Sequence, residues 1–192
     1  DIFTGDVCGY RYGRVQVSYS PLDWDASDLV SRNVTFETEF MQVPADAANA
    51  KWEDNNEKIQ VDNVPSIKRV EIKVYNFKLH RVSPSKRASV ESAIDDNIGK
   101  INEAAFEGAP ANELLFHGAS SDWSIDSNGE QVYTYSLIFK QRRVKLEDQV
   151  ANAHWQYVFR PEKGDFAIPL FGANEKKLYE TSSNFSDLFD IL

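Results

Sequence analysis

A chain of 192 residues can bury roughly 70% of the surface its unfolded form exposes, so a single domain over 1–192 is expected to hold together without staples. Its composition, 42% hydrophobic and 27% charged, excludes a disordered chain, and the single cysteine, Cys8, excludes a disulfide framework and any cysteine-based zinc site. The formal charge of −9 argues against a protein that coats DNA, since nonspecific binders gain affinity by setting Lys and Arg on many phosphates.

The predicted elements begin with "GRVQVSYS", where Val15, Val17 and Tyr19 alternate with Arg14, Gln16 and Ser18 as a half-buried strand that Pro21 stops. "NVTFETEFMQV" repeats the alternation, with Val34, Phe36 and Phe40 set against Glu37 and Glu39, and ends at Pro44. Residues 45–64 are polar and weakly periodic, and Trp52 is their one large anchor, so they read as a long excursion.

"KRVEIKVYNFKLHRV" is the longest strand, and its apolar phase switches from Val70, Ile72 and Val74 to Tyr75, Phe77 and Leu79. A period of two cannot change face without an inserted residue, so two explanations stand open. One is a β-bulge near Tyr75 and Asn76; the other is a strand covered on both faces.

A helix follows, with Ser83 as N-cap and Pro84 as first helical residue. Val90, Ile94, Ile98, Ile101 and Ala105 form its apolar stripe, Asp95, Asp96, Lys100 and Glu103 its solvated side, and Gly108 and Pro110 its end. Gly99 would lie in its interior, where glycine costs about 1 kcal/mol against alanine unless close packing on the sheet requires it.

A hairpin comes next, Trp123 and Ile125 leading into an Asn128-Gly129 turn of type I′ and Tyr133, Tyr135, Leu137 and Phe139 lining the return. "HWQYVFR" reads as a further strand carrying Trp155, Tyr157 and Phe159, and "FAIPLF" as an edge strand because of Pro169. The tail, with a serine cap and Phe185, Leu188, Phe189 and Leu192 at helical spacing, reads as a short docking helix. The sum is an α+β domain, a mostly antiparallel sheet with one long helix packed on it. No apolar run approaches the ~20 residues of a membrane span, and no secretory signal is visible.

The segment "HGAS", His117 to Ser120, has the look of an esterase oxyanion loop, but the G-x-S-x-G elbow that such an enzyme needs occurs nowhere. His80, His117 and His154 stand apart, no H-E-x-x-H occurs, and adjacent Asp95 and Asp96 would point apart on a helix, so no metal site is expected. Cys8, between Val7 and Gly9, reads as a small packed residue rather than a nucleophile. Phosphate-binding glycine loops are missing. Trp24, Trp52, Trp123 and Trp155 suit a sugar-binding face or ordinary core packing equally well. Asn33-Val34-Thr35 and Asn184-Phe185-Ser186 match the glycosylation pattern, which recurs by chance. No enzyme signature and no cofactor are expected.

Charge is unevenly spread. Lys68, Arg69, Lys73, Lys78, Arg81, Lys86 and Arg87 face only Glu71 between residues 64 and 90, and Lys140, Arg142, Arg143 and Lys145 form a second basic group. Acids gather at Asp46, Glu53, Asp54, Glu57 and Asp62. These are either solvated faces or the two sides of a head-to-tail contact.

"FEGAPANELLFHGASSDWSIDSNGEQVYTYSLIFKQRR" and "HWQYVFRPEKGDFAIPL" resemble a family of tailed-phage and prophage structural proteins, over about residues 65–170. The shared pattern is Gly108, the Leu114–Ala119 segment, Trp123, a strand ending at Phe139, and Trp155-Gln156-Tyr157. The resemblance implies a ring-forming neck, tail-terminator or connector subunit of the virion, assembled in the host cytoplasm and partnered by itself and by neighbouring neck or tail proteins. DNA would be only passing cargo, which an acidic lumen lets slide, and no membrane would be involved. No catalytic residues come with it; Gly118 is implied to make a turn, and Trp123 and Tyr135 to be core. The expected interface residues are Lys68, Arg69, Arg142, Arg143, Phe185, Leu188 and Phe189. The competing expectations are a surface-displayed, carbohydrate-binding module and an uncharacterised hydrolase.

Overall fold

Alternating stretches of twelve residues and more make long strands, and four of these dominate the computed structural model, which describes residues 5–7, 10–12, 30–41, 50–59, 68–146, 149–160, 163–182 and 184–190. β1 (Gly5–Val7) and β2 (Tyr10–Tyr12) pair with each other; β3 spans Val30–Met41, β4 Lys51–Trp52 and β5 Lys68–Val82. Helix α1 (Pro84–Asn97) leads to β6 (Ile101–Asn102), β7 (Leu114–Ile125), β8 (Gln131–Leu146) and β9 (Gln149–Ala153). Short strands β10 (Val158–Arg160), β11 (Asp165–Ala167), β12 (Pro169–Leu170) and β13 (Thr181–Ser182) precede a 3₁₀ turn at Phe185–Leu188. The strand expected at "GRVQVSYS", Cys8 and Trp24 lie outside the described residues.

The main sheet has seven strands in the order β13-β6-β7-β8-β5-β3, with β9 pairing on the far end of β8. Its ladders are antiparallel apart from β13 on β6, and it curls into a half-barrel. The expected α+β architecture is therefore what the chain builds.

Coverage on both faces, not a bulge, explains the phase switch in β5. Its pairing with β3 and β8 runs unbroken through Tyr75 and Asn76, and the irregularity falls between Leu79 and Val82, where Arg81 has φ 57°. Two cores sit on opposite faces, offset along the strands. The helix and the tail cover Tyr75, Phe77, Leu79, Leu114, Phe116, Tyr135, Leu137 and Phe139. Trp155, with Phe159, Phe166 and Tyr179 around it, covers Val70, Ile72, Val74, Leu115 and Val144 on the other side. Each face is consequently filled over one half of its length and open among the described residues over the other half. A third, small core closes the excursion: Trp52 is buried against Ala50, Ile59, Val158 and Ala167, and β4 pairs with Pro169 on an edge, as the proline requires.

The helix is shorter than its periodicity suggests. Pro84 opens it as expected, but Ser83 makes no side-chain cap, and the helix ends at Asn97 with Ile98 extended and Gly99 at φ 79°. Gly99 is thus the left-handed stop rather than an interior residue, and open space around its Cα shows that close packing is not its purpose. Its N–H donates to Phe116 O at 2.8 Å, which turns the chain onto the sheet edge, where Ile101 pairs with Leu115. Three- and four-residue steps carried across this stop by coincidence.

The hairpin exists, but its turn is not type I′. Only Gly129 of the pair has positive φ, at 81°; its N–H donates to Asp126 O at 3.0 Å, and Asp126 also accepts from the Asn128 and Glu130 N–H groups. This is a three-residue loop closed by a left-handed glycine. Gly129→Val meets no neighbouring atom, so its cost is conformational, about 1–2 kcal/mol, and we expect a Tm lowered by a few degrees in thermal denaturation.

The C-terminal third also differs from the strand expectation. Trp155 lies in a turn in which the Tyr157 N–H donates to His154 O at 3.0 Å, so Trp155 is buried while Tyr157 is exposed. The tail forms one 3₁₀ turn capped by Asn184, whose side chain accepts from the Ser186 N–H at 3.0 Å, rather than a helix capped by serine.

Candidate functional site

Of the residues expected to meet a partner, several are inside the fold. Phe185 and Leu188 are buried in the core under the helix, and Phe189 packs on its edge, 5.3 Å from the Phe77 ring and 5.6 Å from that of Phe106. The tail docks on its own chain, because its apolar residues complete a face that α1 is too short to close. Arg142 is buried with its guanidinium 4.0 Å above the Trp155 ring and donates to Trp155 O at 3.4 Å. Burial pulls its pKa down, opposed by Tyr179 and Glu39. Arg143 and Arg69 remain accessible. Arg143 stands 6.0 Å from the centre of the Phe36 ring, and Arg69 donates to Thr38 Oγ1 at 3.1 Å. Lys68 opens β5 opposite Met41.

The uneven charge is partly balanced within the chain. Arg160 holds both Asp54 and Asp165, Lys163 meets Glu57 and Lys177 meets Glu53, so the acidic excursion is offset by the C-terminal strands. On the basic side Arg81 pairs with Asp126, Arg87 with Glu91, and Lys140 with Glu39. Sequence order separates these groups and the fold brings them together.

His117 is exposed at a register shift between Phe116 and Gly118, so "HGA" marks a β-bulge and Gly118 sits within a strand rather than in a turn. Partial burial, then nearby Lys140, lowers the His117 pKa, while Glu39 and Glu37 oppose them. A serine and a histidine do meet elsewhere: Ser31 Oγ lies 2.8 Å from His80 Nε2, across β3 and β5. No local pattern signals this pair, whose members are 49 positions apart. Among the described residues no group of three His, Cys, Asp or Glu side chains could hold a metal ion, and no helix is long and apolar enough to cross a membrane.

The two open half-faces differ in chemistry. Below the helix, the face carrying Phe36 (63% exposed) and Phe40 (71% exposed) also carries Arg69, Lys73 and Arg143 with Glu71 between them, and it lies along β3, which ends the sheet among the described residues. At the opposite end of the strands, Trp123 (59% exposed) pairs with Tyr133 and Ile125 (57% exposed) with Gln131. Trp123 is therefore a surface residue, in contrast to its implied core role, whereas Tyr135 is core as implied. Residues 121–131 carry three acids, Asp122, Asp126 and Glu130, and no base.

On the reverse face, beyond the Trp155 layer, lies a groove of about 590 Å³ lined by Lys78, His80, Ser120, Asp122, Thr134 and Ser136, with Trp123 and Ser124 at its border. A second hollow of about 400 Å³, near His154 and Lys177, is crossed by Gln156, which donates to Tyr179 O at 2.6 Å and accepts from the Tyr179 N–H at 3.1 Å. His154 there has its pKa lowered by burial and by Lys177, against Glu53. Comparison with family models, with curated proteins and with solved structures finds no match to this chain.

Proposed function

We propose that this protein is a non-enzymatic assembly subunit that associates with copies of itself head to tail, in a neck or tail-completion role within a tailed-phage particle. The observation that carries the association is the pair of unlike apolar patches on one sheet face, Phe36 with Phe40 and Trp123 with Ile125. Along β8 the two are separated by the eight steps from Tyr133 to Gln141, roughly 27 Å at ~3.4 Å per residue. They cannot meet within one chain, and each is complementary to the other rather than to itself. The β3 patch is framed by cations and the hairpin end by acids, so charge favours joining them in one direction. Contacts between unlike patches close into rings or extend as filaments. The phage setting rests on the sequence resemblance.

Exposed ion pairs add little, so the exposed aromatic residues supply the affinity and the charges the orientation. The test is sedimentation velocity on two double variants, Phe36→Ser with Phe40→Ser, and Trp123→Ser with Ile125→Ser. The unmodified protein should form higher oligomers. Each double variant should be monomeric by itself, and the two mixed should give a dimer, since one retains each half of the contact. A monomeric unmodified protein at every concentration would falsify the proposal.

A further inference from the structure

We infer that the polar half-face is a binding site for a neutral carbohydrate. Three adjacent strands present it in register: Lys78 stands opposite Ser136, and Ser136 opposite Ser120, in one row, with Thr134 opposite Asp122 in the next. Rows on one face repeat every ~6.8 Å and strands every ~4.8 Å, so the side chains form a flat lattice of hydroxyls that both donate and accept. That is the recognition chemistry of a polyhydroxyl ligand.

Three observations narrow it. First, Lys78 and Asp122 offset one another within the groove, which disfavours a ligand of strong charge of either sign. Second, the floor is not apolar: where Val70, Ile72 and Val74 carry the Trp155 layer, the same strand continues on the same face as Asn76, Lys78 and His80. Third, β6 meets β7 only at Leu115 among the described residues, so residues 120–125 of β7 form a free edge, which leaves the groove open along that side for a chain of sugar units. Ser31, held by His80, extends the polar surface onto β3.

The experiment is saturation-transfer NMR with four probes, cellohexaose, maltohexaose, chitohexaose and a trigalacturonate, followed by titration of any that respond. At least one of the three neutral probes should receive saturation. Asp122→Ala, and separately Thr134→Val with Ser136→Ala, should each weaken it by about tenfold or more, the loss of a charged acceptor or of two hydrogen bonds. Phe36→Ser with Phe40→Ser, on the opposite face, should leave it unchanged, so self-association and sugar binding fail or succeed independently. The inference is overturned by silence from all three neutral probes, by a preference for trigalacturonate, or by binding that survives both groove variants.

Discussion

Replacing Phe139 by alanine is expected to cost about 3–5 kcal/mol, a large share of a domain's total stability. Phe139 is fully buried, on the central strand β8, and its ring touches rings from four other places in the chain. It stacks on Phe116 at 4.8 Å and meets Phe77 at 5.7 Å, Phe106 at 5.5 Å and Phe185 at 5.2 Å. Those residues belong to β7, to β5, to the loop after β6 and to the tail. Truncation would therefore leave a cavity bounded by four separate segments, none of which can collapse into it without moving the others. Urea denaturation reads the result as a lower midpoint at unchanged slope. Phe139→Leu should recover more than half of the loss, because it restores most of the volume and none of the ring contacts. A Phe139→Ala variant within 1 kcal/mol of the unmodified protein would show that this cluster is not the centre of the fold.

The same strand shows why so much of the fold was legible. Tyr133, Tyr135 and Leu137 alternate with Val132, Thr134 and Ser136, mostly polar, in a period that suits a strand, and Asn128-Gly129 located the reversal even though its turn type differed. Such signals are local: they depend on the period of side chains along a few residues. What failed was non-local. The helix stripe could be extended through Gly99 because Ile101 happens to fall at a helical step, while the stop is set by a hydrogen bond to Phe116, seventeen positions away. The tail looked free because its apolar spacing does not say whose core it enters; the helix ending at Asn97 leaves space that Phe185 and Leu188 fill.

The candidate surfaces were less legible still. Phe36 and Phe40 share a phase with Val34, which packs against the core, and only the offset of the two cores along β5 leaves them exposed. The polar groove had a signal, the run Asn76, Lys78, His80 in the phase that had just been Val70, Ile72, Val74. It was visible as a switch of phase, and it becomes a site only when Ser120, Ser136 and Thr134 arrive from two other strands. The charge pattern misled for the corresponding reason. Acids and bases far apart in sequence are neighbours in space, as Arg160 with Asp54 shows at 3.0 Å.

Arg142 and Arg143 illustrate how adjacent residues of one strand part company. Arg142→Glu is expected to destabilise the fold by about 3–5 kcal/mol, because it would bury an anion where a cation now lies. The new carboxylate would sit against the face of the Trp155 ring, which attracts cations, and beside Glu39, whose Oε1 is 3.8 Å from Arg142 Nε. Arg142→Met should cost less than about 1 kcal/mol. The guanidinium is already incompletely satisfied, its buried Nε having no hydrogen-bond partner, and a thioether fills the same channel over the indole without a desolvated charge. Glu39, 30% exposed, can turn to water when its partner is removed, and it keeps Lys140 at 3.3 Å. Arg143 points to the other face, 3.7 Å from the exposed Glu71, so Arg143→Glu should change stability by less than about 1 kcal/mol while altering the salt dependence of self-association. Thermal denaturation of the three variants, with sedimentation of the folded ones at two salt concentrations, separates these outcomes. An Arg142→Glu protein as stable as the parent would place that side chain at the surface and return it to the interface.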